Sequence, residues 1–114
     1  MSVIINLFKE VGPKAIEHDK GEQIGEMISN NIKNGQKVIV DFDGITNILS
    51  LFLNPAIGDL YGKFEPDVIK ENLQVKNVPE EYLDTLKNVI DRAKSYYAES
   101  EKRTAEINEV IGNE

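Results

Sequence analysis

The stretch Lys37-Val38-Ile39-Val40-Asp41-Phe42 limits the possible folds of this chain more than any other. It has no polar alternation, so neither face of the strand it forms is suited to water. Such a run fits the middle of a parallel sheet covered by helices on each side. Parallel neighbours must be joined by crossovers of a dozen residues or more, usually helical. The segments flanking this run have that length and that periodicity.

On the N-terminal side, Ser2 to Phe8 is rich in β-branched and aromatic residues and reads as a strand. Gly12-Pro13 marks a turn, and Lys14 to Glu17 reads as a short return strand. Asp19 stands three residues before Glu22, the spacing of a capping box. Ile24, Met27, Ile28 and Ile32 then recur on one helical face, and Gly35 supplies a left-handed stop.

Beyond Asp43-Gly44, the apolar positions from Ser50 to Phe64 again follow helical spacing. Pro55 leaves two ways to start that helix. Ser50 caps it and Pro55 deletes one ladder bond, or Asn54 caps it and Pro55 takes the first helical position. Asn72 to Lys76 alternates like an edge strand. Pro79-Glu80-Glu81 opens a final helix whose stripe runs through Tyr82, Leu83, Leu86, Val89, Ile90, Ala93, Tyr96 and Tyr97. The stripe fades, then returns at Ile107, Val110 and Ile111, which predicts a helix longer than the body it packs on. The expected fold class is therefore α/β: a small sandwich with a largely parallel sheet and a long C-terminal helix.

Composition removes several functions. The chain has 114 residues, no cysteine and one histidine, His18. Disulfides, thiolate catalysis, cysteine metal sites and two-histidine chemistry are excluded. With 20 acidic against 13 basic side chains the net charge is −7, a poor match for nucleic acid or anionic membrane. No apolar run approaches a membrane span, and Met1 to Asn6 lacks the basic region of a signal peptide, so a cytoplasmic protein is expected.

Asp41-Phe42-Asp43-Gly44 after a hydrophobic strand is similar to the nucleophile motif of haloacid-dehalogenase-type phosphatases. That chemistry also needs a lysine and an acidic pair for magnesium on further strands, and Ile45 stands where a threonine or valine is usual. The competing reading is a turn in which the aspartates accept backbone N–H bonds. His18 beside Asp19 is a proton relay or part of a solvated loop. Asp41, Asp43 and Asp59 match no metal-ligand spacing, so neither metal nor cofactor is expected. Ser50 reads as a helix cap worth about 1 kcal/mol, or as a regulatory phosphoacceptor.

The run from Val38 to Tyr61, with its strand ending in Asp-Phe-Asp-Gly-Ile and a serine opening a helix a few residues later, resembles the STAS-like domains. These bacterial modules are similar to the anti-sigma-factor antagonists of partner-switching systems. The resemblance extends over roughly residues 1–98, leaving 99–114 as a helical extension or frayed tail. It implies a non-enzymatic regulatory module that binds a histidine-kinase-like ATPase, switched by phosphorylation at the position held here by Ser50. Contact is expected through Asn47, Ser50, Phe52 and Asn54. The antagonists usually read Asp-Ser-Ser/Thr-Gly where this chain has Leu49-Ser50-Leu51-Phe52, and Ser-x-Phe-Leu-Asn is closer to a poorly characterised STAS-like branch. The alternatives are a homodimer built through the C-terminal helix and a phosphatase using Asp41 and Asp43.

Overall fold

The computed structural model describes residues 2–112, and side-chain surroundings over residues 2–98. The chain begins with β1 (Ser2–Asn6), α1 (Leu7–Val11), β2 (Lys14–Ala15) and α2 (His18–Lys33), followed by β3 (Lys37–Asp41) and β4 (Asn47–Ile48). Then come α3 (Ser50–Ala56), a 3₁₀ turn at Gly58–Gly62, α4 (Pro66–Asn72), β5 (Leu73–Lys76), a second 3₁₀ turn at Glu80–Tyr82, and α5 (Leu83–Gly112).

β3 is the central strand, as its sequence predicts. The sheet has the order β1-β3-β5 with both pairs parallel, and Ile39 stands between Ile4 and Gln74 in register. β2 and β4 form a separate two-residue parallel pair, so the segment after Gly12 does not return along β1.

The expectation of helices on each side is corrected by this order. Crossovers between parallel strands are right-handed. Two that step in the same direction carry their helices to the same face. Ile5, Val38 and Val40 point into that covered face and are buried, whereas Ile4, one residue away from Ile5, is 61% exposed. The core is therefore one-sided, built from the inner sheet face, Ile24, Ile28 and Ile32 of α2, and Phe52, Leu53, Ala56, Ile57 and Leu60 beyond it.

Several boundaries differ from expectation for local reasons. β1 stops at Asn6 because the Asn6 side chain accepts the Lys9 N–H at 3.1 Å and starts α1. The capping box at Asp19 does not form. α2 begins at His18 behind Glu17, whose side chain makes no cap bond, and Asp19 lies in the first turn. The helix ends as predicted, in a Schellman motif. Gly35, at φ +78°, donates to the Ile32 carbonyl at 3.0 Å, and Gln36 donates to Asn31 at 3.0 Å.

The long helix expected over 50–64 is broken in two. Pro55 lies inside α3 and has no N–H to give its ladder, and Ile57 leaves helical geometry at φ −122°. Ser29 is buried on α2, and its hydroxyl has no hydrogen-bond partner among the described residues. α4 occupies a segment the sequence reading leaves unassigned, although Pro66 at its start and Asp67 in its first turn are both N-terminal signals.

α5 packs through Leu86 and Val89, while Leu83 and Tyr96 of the expected stripe are exposed. Tyr97 lies on Gly62 and donates to Asp59 Oδ1 at 3.4 Å, fixing the helix over the 3₁₀ turn. The side chains of Ile107, Val110 and Ile111 lie outside the described residues.

Candidate functional site at the carboxyl ends of the strands

In parallel α/β sheets the surface at the carboxyl ends of the strands is the usual working surface. Here it is built from the end of β3, β4 and the first turn of α3.

Asp41 closes β3. Its Oδ1 accepts the Asp43 N–H at 2.9 Å and the Asn77 side-chain amide at 2.9 Å. Asn77 is held at φ +61° just past β5, so this one carboxylate ties the turn after β3 to the neighbouring strand. The bond from Asn77 and then that from the Asp43 backbone hold its carboxyl below the ordinary 3.8; burial opposes them in part, and the charge of Lys76 adds a lesser lowering. The turn itself is closed by Ile45 N–H to Phe42 C=O at 3.0 Å, with Gly44 at φ +88° and the Phe8 ring against it. These are the bonds of the turn reading of Asp-Phe-Asp-Gly. They commit Asp41 to holding backbone.

From this turn the chain crosses to β4. Thr46 N–H donates to the Pro13 carbonyl at 2.8 Å, and the Thr46 hydroxyl donates to Asn47 Oδ1 at 2.9 Å. Leu49 N–H donates to Ala15 at 3.0 Å, while its carbonyl accepts Phe52 and Leu53 N–H at 3.0 and 3.2 Å. Leu49, in extended geometry, is thus the residue that precedes the helix. Neither Ser50 nor Asn54 caps it. Ser50 is the first helical residue, exposed, and α3 has no side-chain cap bond. The cap role considered for Ser50 is corrected.

Three of the four expected contact residues, Asn47, Ser50 and Asn54, are exposed. Phe52 is not. It is 1% exposed and belongs to the core, so it positions α3 rather than presenting a surface. The apolar surface beside Ser50 is supplied by Leu49 and Leu51, 50% and 53% exposed, which the sequence reading passed over. The available signal was the alternation Leu49-Ser50-Leu51 itself. Asn54 lies one helical turn further on, at a shallow depression shared with Gly58, Arg92 and Tyr96.

α3 is held in place by an unusually close approach to α2. A Cβ on Gly21 would collide with the Phe52 carbonyl and lie 2.6 Å from Pro55 Cγ, and one on Gly25 would collide with the Pro55 carbonyl. Two glycines one turn apart let the backbones meet, and this sets the height of Leu49 to Leu51 above the sheet.

Among the described residues, one group of potential metal ligands converges, His18, Asp19 and Glu22, whose ligand atoms lie within 4.8 Å of one another. His18 Nδ1 is 2.7 Å from Glu22 Oε1, an exposed pair one helical turn apart. Asp41, Asp43 and Asp59 do not form such a group. Among the described residues no helix is long and apolar enough to cross a membrane.

A family model described as a STAS-like domain of unknown function (DUF4325) matches residues 20–83, more than half of the chain, from the first turn of α2 to the start of α5. No curated protein and no solved structure matches the chain.

Proposed function

The chain belongs to the family of STAS-like domains of unknown function, and from that premise we propose that it is a non-catalytic regulatory module that binds a protein partner through the rim at the start of α3. One observation carries this reading. Ser50 is exposed, its hydroxyl caps no helix, and it is flanked by two half-exposed leucines on a turn whose helix lies in close backbone contact with α2. Exposed apolar side chains around a free hydroxyl suit a contact that modification can interrupt.

The partner class is a histidine-kinase-like ATPase, as the family resemblance implies. Asn47, Leu49, Ser50, Leu51 and Asn54 form the contact surface, within a module spanning residues 1–98. Phosphate on Ser50 adds about −1.5 to −2 charges between two leucines that must be desolvated in a complex, so the modified protein dissociates. Asp41 serves as the clamp that fixes the floor of the site.

The test is co-purification of the tagged full-length chain from its native cells, with phosphopeptide mapping of the recovered bait. Recovery of such an ATPase with unmodified bait, and its loss with Ser50→Glu, supports the reading. An ATPase retained equally by Ser50→Glu removes the charge switch. Turnover of a phosphate ester that Asp41→Asn abolishes replaces the whole reading with a phosphatase.

A further inference from the structure

The outer face of the parallel sheet is a second surface, which meets the first at Asp41 on the carboxyl end of β3. Parallel sheets are ordinarily covered on both faces. Here both crossovers run on the inner face, and α5, which follows β5, packs on α3 and the 3₁₀ turn of that same layer. Strand alternation gives the outer face a central row of Ile4, Ile39 and Gln74, aligned in register across all three strands. Ile4 and Gln74 are exposed, and Ile39 is partly so.

The charges on this face are arranged about that row. On β3, Lys37 lies two residues before Ile39 and Asp41 two residues after it, so the three side chains share the face. Among the described residues Lys37 takes part in no ion pair. Asp41 uses Oδ1 for both of its hydrogen bonds, leaving Oδ2 for another donor.

From this pattern we infer that the outer face is the interface of a homodimer, occupied by the same face of a second copy. A two-fold axis between the faces, running across the strands along the Ile4–Ile39–Gln74 row, sets each residue of the row on its own counterpart. The same rotation reverses strand direction. It brings Lys37 over Asp41 of the second copy, and Asp41 over its Lys37, so the contact is complementary twice. Sheets stacked in this way sit about 10 Å apart, within reach of these side chains. The net charge of −7 opposes association over most of the surface, but the strands of this face carry Lys37 and Lys76 against Asp41, with Lys70 and Glu71 at its margin beside Lys37 and Gln74. These charges do not sum to a negative patch, so two copies of an acidic chain can meet there. The interface is isologous and closed, so it produces a dimer and no larger assembly.

The inference is tested by sedimentation equilibrium of the full chain over about 1–300 μM, the range suited to a small apolar interface. The expected result is a concentration-dependent rise from 12.8 kDa towards twice that mass. Ile4→Glu and Lys37→Glu, both at exposed positions, each weaken dimerisation about tenfold or more with unchanged far-UV circular dichroism. Because the chain has no cysteine, Ile4→Cys provides a geometric check. A sheet spacing of about 10 Å is too wide for a direct disulfide, so a short thiol-to-thiol cross-linker is used: it joins Ile4→Cys into a dimer, whereas Ser2→Cys, off the axis, stays unlinked. A wild-type chain at 12.8 kDa throughout the range overturns the inference. So does a dimer that both glutamate variants leave intact, which would rest on another surface.

Discussion

Replacing Gly25 by alanine sets two effects of opposite sign against each other. In the interior of an isolated helix the change stabilises by about 1 kcal/mol, because alanine loses less backbone entropy on folding. In this fold the new methyl collides with the Pro55 carbonyl and lies 3.4 Å from Ala56 Cα. The obstructing atoms are backbone, so no side-chain rotation relieves the clash. α3 must move by roughly 1 Å, against a core in which Phe52, Leu53 and Ala56 are each about 1% exposed. Overpacking of this kind costs about 1–3 kcal/mol, and backbone obstruction places it at the upper end. The expected net result is a loss of about 1–2 kcal/mol, a drop in Tm of about 5–10 °C for a body of this size. Urea unfolding followed by far-UV circular dichroism measures it, with a lower midpoint at unchanged m-value. Gln23→Ala, exposed on the same helix, is the control and shifts stability by less than about 0.5 kcal/mol. If Gly25→Ala is instead stabilised by the propensity increment, α2 and α3 are not in backbone contact, and the account of how Leu49 to Leu51 are held fails.

Phe52→Ala and Ser50→Ala, two residues apart, separate core from surface. The first is expected to cost about 3–5 kcal/mol by cavity formation, the second to stay within about 0.5 kcal/mol because no cap bond is lost, both read from the same urea midpoints. Asp41 makes stability fall in acid. Its native carboxyl titrates below the unfolded value, so its contribution is complete above about pH 4 and is lost as pH falls through the lowered native value. In Asp41→Asn that part of the acid dependence disappears, and an unchanged difference between the two proteins from pH 7 down to pH 2 would refute the clamp.

Strong periodic or compositional signals located the central strand, α2 with its glycine stop, the edge strand β5 and the carboxyl-end rim. What was not legible depended on tertiary context. The uninterrupted run Val38-Ile39-Val40 shows that a strand is apolar on both sides, but its sequence does not record the direction in which the chain steps to the next strand. That direction leaves Ile39 and Ile4 without a covering helix among the described residues. In Leu49-Ser50-Leu51-Phe52-Leu53 four of five residues are apolar, so periodicity cannot set the phase of a seven-residue helix. Contact with Gly21 and Gly25 sets it, turning Phe52 and Leu53 inward and Leu51 out. α4 spans only seven residues, too few for a repeating stripe, and only its Pro66 and Asp67 start could have announced it.

Whether the rim at the start of α3 is a protein-binding surface is decided by parallel co-purification with two baits. One bait is the wild-type chain and the other carries Leu49→Asp and Leu51→Asp, changes at half-exposed positions that leave the core intact. A histidine-kinase-like ATPase is expected with the first bait and not with the second, while both baits melt cooperatively at similar temperatures. Equal recovery of the same ATPase by both baits, or its absence from the wild-type sample, would contradict a binding role for this rim.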